Sequence, residues 1–498
     1  MSGAERPGEF PYTRGISAEP KPWIMGQYSG FGTPAQTNAR FRHLLDAGLT
    51  GFSVALDLPT QMGFDSDDVM SAGEVGRVGV ALDSYEDVRT LMEDIPLERI
   101  SQVRTTANAI GWAWVGWFAA LAKERGVEPD AFGLFIQNDV LKEFVARGTQ
   151  IFPPEASLKL SVDVMEWCAR HASRWTPLAM SGYHFREAGA TAAQELAFTF
   201  ADGFAYLDAL VARGVAVDAV APALYVFLSS GLDVIEEVAK FRAARRLWAT
   251  LVRERYGPSD PRSEQLRIFV FTAGSSLAAQ QPLNNVVRAS IEATVAAIGG
   301  VQTMHVCAYD EALGVPTAEA ASLALRTQQV VALETGLTAV VDPLGGAPAI
   351  EEATDRIEAE VRDLLSKIDR RGGAVACIAS GWFAEELERN AFADQRRVEA
   401  GEKVVVGVNR FVEEEAVPFA PFAIDPAVER EQAAAVAGVR ARRDQGRAAR
   451  ALDALEADAR AARNVVPACI EAAEARCTIG EMTERLAAVH GRWSASVS

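Results

Sequence analysis

Eight short apolar runs, each followed by polar residues, recur along this chain and constrain its fold more than any other feature. Runs of this kind are typical of buried strands, and most of the gaps between them leave room for a crossover helix. Eight strand–helix units in roughly 300 residues predict an α/β fold, namely a parallel (β/α)8 TIM barrel. A doubly wound open sheet is the alternative, but we find no glycine-rich phosphate loop after the first run. The eight runs are residues 52–56, 100–107, 132–136, 177–180, 220–224, 268–271, 301–304 and 337–341.

Composition changes along the chain predict three further regions around the barrel. Residues 1–45 are rich in proline and glycine at first and are interpreted as an extended N-terminal arm, which precedes the barrel catalytic domain at 46–345. Apolar residues then recur at helical spacing, which predicts a helical extension of the barrel domain over 346–425, with a short strand at 404–409. The high content of Ala, Arg and Glu in residues 426–498 predicts a helical C-terminal tail, which we interpret as a packing or partner surface.

The net charge of −18 and the lack of long apolar segments exclude several classes of protein. A strongly acidic chain lacks the basic face that nucleic-acid phosphates require. No apolar stretch approaches the ~20 residues of a membrane span, and the first residues contain no apolar signal core, so we predict a cytoplasmic protein. The five cysteines include no Cys-x-x-Cys pair, which argues against a structural zinc site.

Polar residues at the ends of the predicted strands form the candidate site. In a parallel barrel the carboxyl ends of the strands share one rim, so these residues are expected to face one pocket. The most informative stretch is Ser-Gly-Tyr-His-Phe-Arg-Glu-Ala-Gly at 181–189, because it places Tyr, His, Arg and Glu side chains directly after a buried run. The alternative is a core histidine and tyrosine that bond to backbone groups. The predicted rim residues are Asp57, Asn108, Gln137, Tyr183, His184, Tyr225, Thr272 and His305.

Several motifs that occur in order identify a family. They resemble the large, catalytic subunit of the methylmalonyl-CoA mutase family, the adenosylcobalamin-dependent acyl-CoA mutases. The resemblance runs from about Tyr12 to the C-terminus. The motifs lie at residues 51–60, 64–67, 73–76, 136–143, 151–154, 181–184 and 310–313.

The resemblance implies an isomerase that carries out a radical 1,2-rearrangement of a methylmalonyl-like or other branched acyl thioester. It also implies a barrel opened by the pantetheine arm of the substrate, with adenosylcobalamin at the carboxyl rim and protein residues that orient the substrate and exclude water. Cobalamin-binding modules carry Asp-x-His-x-x-Gly, and none of the five histidines here has an aspartate two residues before it. We therefore expect a hetero-oligomer in which a separate small subunit carries most of the cofactor contacts.

The resemblance assigns catalytic and substrate-binding roles to five residues. His184 matches the histidine that bonds the thioester carbonyl, Gln137 the amide that helps to orient it, and Tyr183 lines the pocket beside it. Tyr28 matches the tyrosine between substrate and cofactor. Arg147 matches the arginine whose bidentate fork pairs with the free carboxylate of the substrate, a surface ion pair being the alternative. Because relatives that move uncharged acyl chains lack this arginine, Arg147 and Tyr28 together favour a carboxylated substrate.

Three residues are candidates for binding the cofactor. Glu311 resembles the carboxylate that holds the adenosyl ribose, although an acid at the start of a helix is equally typical. His305 and Cys307 lie at the predicted rim, where Cys307 is also typical of a small core residue.

Several positions depart from the family pattern and alter the candidate substrate pocket. Phe135, Tyr225 and Phe271 replace polar residues with aromatic ones, and this favours a non-standard substrate. A non-catalytic mutase-like scaffold or binding subunit is the first alternative. A cobalamin-free barrel lyase with His184 as general acid or base is the second. The residues that could rebuild the lost polar contacts are Lys21, Arg104 and Arg186.

Overall fold

The structure, a computed structural model, describes residues 5–26, 28–30, 32–46, 51–413 and 425–494. Strands and helices alternate up to residue 305, and helices dominate after it. The strands in these ranges are β1 Ile24–Met25, β2 Tyr28–Ser29, β3 Gly51–Val54, β4 Gln102–Thr105, β5 Leu134–Ile136, β6 Ala179–Ser181, β7 Tyr225–Ser230, β8 Arg267–Thr272 and β9 Thr303–His305. The helices up to residue 305 are α1 Pro34–Asp46, α2 Leu58–Gln61, α3 Tyr85–Leu91, α4 Gly111–Arg125, α5 Pro154–His171, α6 Gly182–Glu187, α7 Ala192–Val211, α8 Val234–Tyr256 and α9 Asn284–Ile298. Those beyond it are α10 Ala318–Glu334, α11 Pro348–Arg370, α12 Ala374–Ala379, α13 Trp382–Glu399, α14 Ala427–Arg442, α15 Gln445–Arg460, α16 Val466–Glu474 and α17 Ile479–His490.

Two compact units divide these elements, and each has its own sheet of parallel strands. The first unit comprises residues 1–27, 180–205 and 224–423, and its sheet has the order β1-β9-β8-β7-β6, with Ala179 at the start of β6 falling outside it. The second unit comprises residues 28–179, 206–223 and 424–498, and its sheet has the order β2-β3-β4-β5. The α/β class and the parallel strands are confirmed. A single closed (β/α)8 barrel stays a prediction.

The predicted strand at 220–224 is wrong. Ala221–Ala223 form a 3-10 turn, and the strand begins at Tyr225 instead. Pro222 has no backbone N–H to donate to a ladder, and the alanines on either side of it have low strand propensity. Tyr225 is therefore the first residue of β7 rather than a residue at its carboxyl end.

Two further predicted strands are also wrong. The run at 337–341 contains the 3-10 turn Leu337–Ala339, which follows Gly336 in the left-handed region at φ 75°. The segment at 404–409 forms a turn with one isolated bridge from Val406 to Arg410. There the side chain of Asn409 accepts a hydrogen bond from the backbone N–H of Val405 at 2.8 Å, so a local turn replaces strand pairing.

The N-terminal arm supplies strands that the apolar pattern does not reveal. β1 pairs with β9, and β2 pairs with β3. Each arm strand is two residues long, too short to show a period of two. The arm is thus part of both sheets rather than only a wrapping segment.

In the second unit the C-terminal tail packs against the helix that follows β4. The first twelve residues of α4, Gly111–Ala122, are buried, and α4 ends at Gly126 in the left-handed conformation. A Cβ at Gly116 would lie 3.1 Å from the backbone of Cys469 in α16, so the glycine permits close packing of these two helices. The tail contains α14 to α17, and the break between α15 and α16 lies just before Pro467.

In the first unit, α11, α12 and α13 lie within residues 346–425, where the sequence predicts a helical extension. Gly372 and Gly373, with φ of 94° and 88°, separate α11 from α12. Ion pairs from Arg246 to Asp355 at 2.7 Å and to Glu358 at 2.5 Å join α8 to α11. None of the helices in the described ranges combines the length and the apolar character that a membrane span requires.

Candidate functional site

Tyr183 and His184 lie in an aromatic cluster of the first unit. The ring of Tyr183 stacks on Phe227 with centroids 4.8 Å apart, and the imidazole of His184 meets both rings edge-on at 5.5 Å and 5.6 Å. Phe271 packs against Phe227 at 4.8 Å and against Tyr183 at 5.4 Å. His184 itself is half-buried, so packing fixes its ring while part of its surface stays accessible.

The local sequence explains why these two side chains lie at the carboxyl edge of β6. All three residues of β6 are buried, and α6 begins directly after it at Gly182. A Cβ at Gly182 would lie 2.5 Å from Oγ1 of Thr199 and 3.0 Å from the Glu195 side chain. Only glycine permits this close approach of α6 to α7, which brings Tyr183 and His184 to the strand end.

The carboxyl ends of β8 and β9 hold the predicted cofactor residues. The backbone N–H of Cys307 donates to Oγ1 of Thr272 at 2.8 Å, and its thiol donates to the carbonyl oxygen of Thr272 at 3.2 Å. Glu311 accepts from the N–H of Ala308 at 2.6 Å. Burial raises the pKa of Cys307 well above its usual range and also raises the pKa of Glu311. Cys307 is therefore a protonated thiol that ties two strand ends together.

His305 lies on Phe271 with ring centroids 4.3 Å apart. Burial lowers the pKa of His305 to about 4, so its imidazole is neutral near pH 7. It is suited to stacking and hydrogen bonding rather than to pairing with an anion.

Glu187, the last residue of α6, belongs to this edge, although the sequence points to it only as one member of the 181–189 stretch. It accepts hydrogen bonds from the backbone N–H of Ser275 at 2.7 Å and from its hydroxyl at 3.1 Å. Burial raises the pKa of Glu187 to about 7. A carboxyl group that titrates near neutral pH at a strand end is typical of a functional site.

Glu187→Gln is expected to change how stability depends on pH. The pKa of Glu187 is 4.5 in its unperturbed state and about 7 in the fold, so the folded protein retains a proton that the unfolded chain loses between these values. The parent loses stability as pH rises through this window, and the variant does not. Urea unfolding should show the variant gaining roughly 1–3 kcal/mol on the parent between about pH 5 and about pH 8. An equal difference at all pH values would contradict the prediction, and Glu399→Gln on the exposed end of α13 supplies the baseline.

Tyr225 lies at the opposite edge of the sheet from the predicted rim. It starts β7 and lies 5.6 Å from the guanidinium of Arg267, which starts β8. Both residues line a cavity of about 380 Å³ whose walls include four basic and two acidic side chains. The basic residues are Arg14, Lys21, Arg245 and Arg267, and the acidic residues are Glu19 and Asp342. The amino edge of this sheet thus carries a basic cavity in an acidic chain.

In the second unit Gln137 and Asn108 are held together at the carboxyl ends of β5 and β4. The amide of Asn108 donates to Oε1 of Gln137 at 2.9 Å and accepts from the N–H of Asp139 at 3.2 Å. Because the oxygen of Gln137 accepts from Asn108, its NH2 is the group oriented to donate. Orientation of a substrate carbonyl requires a donor of this kind.

Asp57 is hydrogen-bonded to the backbone of two separate segments. It caps α2 by accepting from the N–H of Thr60 at 3.0 Å, and it accepts from the N–H of Gly76 at 2.8 Å. It is wholly buried, and burial raises its pKa to about 6. These contacts give Asp57 a structural role as a helix cap that holds the two segments together.

Arg147 lies in the segment after β5 and is bound by three neighbours. Nη1 lies 3.2 Å from Oε1 of Glu143 and 3.1 Å from Oγ1 of Thr149, and Nη2 donates to Oε1 of Gln61 at 2.6 Å. Glu143 is wholly buried and also pairs with Lys142, whereas the Arg147 side chain stays 22% exposed. This is an ion pair with a buried carboxylate, not the surface pair considered from the sequence. Gln61 and Glu143 were not identified as site residues from the sequence.

A row of residues crosses the sheet of the second unit. Ser53, Arg104 and Phe135 are partners in the register of β3, β4 and β5, and Tyr28 pairs with Ser53 from β2. Side chains in one register row lie on one face of a parallel sheet. The guanidinium of Arg104 lies 5.4 Å from the ring of Phe135, and its Nε donates to Gln102 at 2.6 Å. Arg104 is therefore a strand residue, and the side chain of Tyr28 lies outside the described part of the structure.

The predicted site residues thus fall into two sets. The first unit brings together Tyr183, His184, Phe271, His305, Cys307, Thr272 and Glu311 near the carboxyl edge of its sheet, with Tyr225 at the amino edge. The second unit holds Tyr28, Asp57, Arg104, Asn108, Phe135, Gln137 and Arg147. Arg186 pairs with Glu236 at 3.2 Å and Glu237 at 3.3 Å, so it serves α6 and α8 rather than a lost substrate contact.

Comparison with known proteins gives matches over nearly the whole chain. The family model described as methylmalonyl-CoA mutase matches residues 1–492. The chain is 40% identical over 492 residues to the 2-hydroxyisobutanoyl-CoA mutase large subunit of Aquincola tertiaricarbonis, covering 98% of this chain and 87% of that protein. It is 40% identical over 491 residues to the methylmalonyl-CoA mutase of Escherichia coli (strain K12), covering 98% and 68% of the two chains. It is 39% identical over 497 residues to the mitochondrial methylmalonyl-CoA mutase of Homo sapiens, covering 99% and 66%. The chain therefore belongs to the methylmalonyl-CoA mutase family, whose members are isomerases.

Proposed function

We propose that this chain is the catalytic subunit of an adenosylcobalamin-dependent carbon-skeleton mutase that rearranges a carboxylated, methylmalonyl-like thioester of coenzyme A. The observation that carries the proposal is Arg147, a partly exposed guanidinium whose Nη2 faces the neutral oxygen of Gln61. A substrate carboxylate can exchange with that neutral acceptor and form a charge-assisted bond in its place.

His184 is proposed to polarise the thioester carbonyl. A half-buried imidazole provides an N–H donor, and the aromatic rings on either side keep that donor in one direction. A donor fixed before the reaction stabilises charge that develops on the carbonyl oxygen without reorganisation. The rings of Phe227, Phe269 and Phe271, with centroids 4.7–5.2 Å apart, also exclude water from the reacting group.

The donor and acceptor groups at the carboxyl edge of the first unit fit an adenosyl group. Glu187 and Glu311 carry half-buried carboxyl groups that can accept hydrogen bonds from ribose hydroxyls, and the neutral ring of His305 offers a stacking surface. Adenosylcobalamin, when bound, supplies the radical that removes and returns a substrate hydrogen. The task of these residues is to bind the ribose and keep it oriented.

The basic cavity at the amino edge of the same sheet is proposed to bind phosphates of the coenzyme A carrier. Arg245 is wholly buried, and its guanidinium donates to backbone carbonyls of Tyr12, Thr13 and Gly299. Its charge is therefore not neutralised by these partners. Lys21 and Arg267 add two further cations at the cavity wall.

The name of one relative supports a separate cofactor subunit. The 2-hydroxyisobutanoyl-CoA mutase relative, 40% identical to this chain, is named as a large subunit. None of the five histidines of this sequence follows the Asp-x-His pattern of cobalamin-binding modules. We infer that a separate small subunit provides most of the cofactor contacts.

Reconstitution tests this proposal. The chain is combined with a cobalamin-binding small subunit, adenosylcobalamin and a panel of carboxylated and uncharged acyl-CoA thioesters, and rearranged products are measured by mass spectrometry. We expect rearrangement of a carboxylated thioester only when both chains and the cofactor are present. Turnover without cobalamin would favour a lyase, and no product with any thioester would favour a non-catalytic binding subunit.

A further inference from the structure

The two terminal nitrogens of the Arg147 guanidinium differ in their partners: Nη1 has a charged acceptor, and Nη2 has a neutral one. Nη1 is shared between the carboxylate of Glu143 and the hydroxyl of Thr149, whereas Nη2 donates to the amide oxygen of Gln61. Glu143 also pairs with Lys142, so its single charge already serves two cations. A substrate carboxylate would therefore form its strongest additional hydrogen bond at Nη2.

Gln61 is itself fixed in one orientation. Its Nε2 donates to the carbonyl oxygen of Leu56 at 2.7 Å, and this bond leaves its oxygen directed at Arg147. Its backbone N–H donates to the carbonyl of Asp57 at 3.1 Å within the short helix α2, whose start Asp57 caps. Only 5% of Gln61 is exposed, so its amide has few alternative partners.

We propose that Gln61 is a specificity-determining residue, because its amide oxygen occupies on Arg147 the position that a substrate carboxylate takes. A substrate carboxylate that replaces the neutral oxygen of Gln61 forms a charge-assisted bond to Arg147, which strengthens substrate binding. An uncharged acyl chain leaves the Gln61–Arg147 bond intact, so this position does not strengthen its binding. The neutrality of residue 61 therefore sets the selectivity for a carboxylated substrate. This inference rests on the proposed mutase function and names the residue that gives the substrate its class.

Gln61→Glu tests the inference by placing a permanent carboxylate on the same atom of Arg147. Succinyl-CoA and butyryl-CoA are titrated into the full-length chain by calorimetry, so that binding is measured without turnover. The parent should prefer succinyl-CoA, and Gln61→Glu should weaken succinyl-CoA binding by at least about 30-fold because the guanidinium is already neutralised. Binding of butyryl-CoA should change by less than about threefold, since it brings no charge to this position.

Two further variants make the result specific. Gln329→Glu makes the same change beside Arg326 on the exposed face of α10, and it should alter neither affinity. Gln61→Met removes the oxygen without adding charge, and it should retain the preference for succinyl-CoA because Glu143 and Thr149 still hold Arg147. If Gln61→Glu does not fold, loss of the preference in Gln61→Met overturns the inference and its retention supports it.

The outcomes separate this inference from the proposed function. Unchanged succinyl-CoA affinity in Gln61→Glu overturns the role of Gln61 and leaves the mutase assignment intact. Equal affinity of the parent for both thioesters overturns the carboxylate selectivity. Failure of the parent to bind either thioester overturns the proposed function together with the inference.

Discussion

Replacing His184 with alanine is expected to lower the turnover of the reconstituted mutase by about two orders of magnitude or more, as removal of one fixed donor to a developing oxyanion does elsewhere. The imidazole lies edge-on to Tyr183 and Phe227 at 5.5 Å and 5.6 Å, so its donor direction is set before substrate binds. Alanine removes the donor and leaves the aromatic rings in place. The loss should fall mainly on kcat, because the bond strengthens as the carbonyl gains charge.

Two controls separate catalysis from folding in this experiment. His43→Ala replaces an exposed histidine on α1 and should keep turnover within about twofold of the parent, as surface substitutions usually do. His184→Asn retains an N–H donor on a shorter side chain and should recover part of the activity. The thermal midpoint of each variant is measured in parallel. Unchanged turnover in a folded His184→Ala protein would refute the assigned role.

The sequence predicts the parallel strands well where apolar runs are long and bounded. β3, β4, β5, β6, β8 and β9 overlap predicted runs. β5 and β6 are buried at every residue, and a strand covered on both faces reads as a continuous apolar segment. β1 and β2 are missed because two residues show no periodicity, and their pairing partners β9 and β3 are distant in sequence. Tertiary pairing, not local preference, makes these segments strands.

The sequence predicts those residues of the candidate site that are recognisable from their side-chain type and local position alone. Tyr183 and His184 are visible in the sequence because polar residues directly follow a buried run. Glu187 acquires its neutral pKa from burial beside Ser275, a residue 88 positions away, and no local pattern reports that burial. Gln61 likewise becomes a partner of Arg147 across 86 positions. Such contacts join helices and loops that are far apart in sequence, and no single motif predicts them.

A buried ion network supports the helix that carries His184. The ammonium of Lys240 in α8 donates to Glu195 at 2.7 Å, to Glu237 at 2.7 Å and to the carbonyl of Ser229 at 2.8 Å, and the three charged side chains are wholly buried. Glu195 in turn accepts from the N–H of Ser229 at the end of β7 and lies against Gly182 at the start of α6. The network thus fixes the relative positions of α6, α7, α8 and β7.

Lys240→Met is expected to lower the free energy of unfolding by about 3–5 kcal/mol, because it removes the ammonium that pairs with the buried carboxylates of Glu195 and Glu237. Burial already raises the pKa of Glu195, and Lys240 opposes that effect, so the variant should lose least at low pH, where Glu195 can take up a proton. Urea unfolding followed by tryptophan fluorescence at about pH 5 and about pH 8 measures both effects.

Lys367→Met is the control: it breaks an exposed pair with Asp363 on α11 and should lower the free energy of unfolding by less than about 1 kcal/mol. The double variant Lys240→Met with Glu195→Gln should regain part of the lost free energy of unfolding, since it removes the buried charge of Glu195. Equal stability of the single and the double variant would show that the ammonium of Lys240 acts through packing alone. Because Gly182 rests on Glu195, the single variant should also lower the turnover that depends on His184, and the double variant should restore some of it.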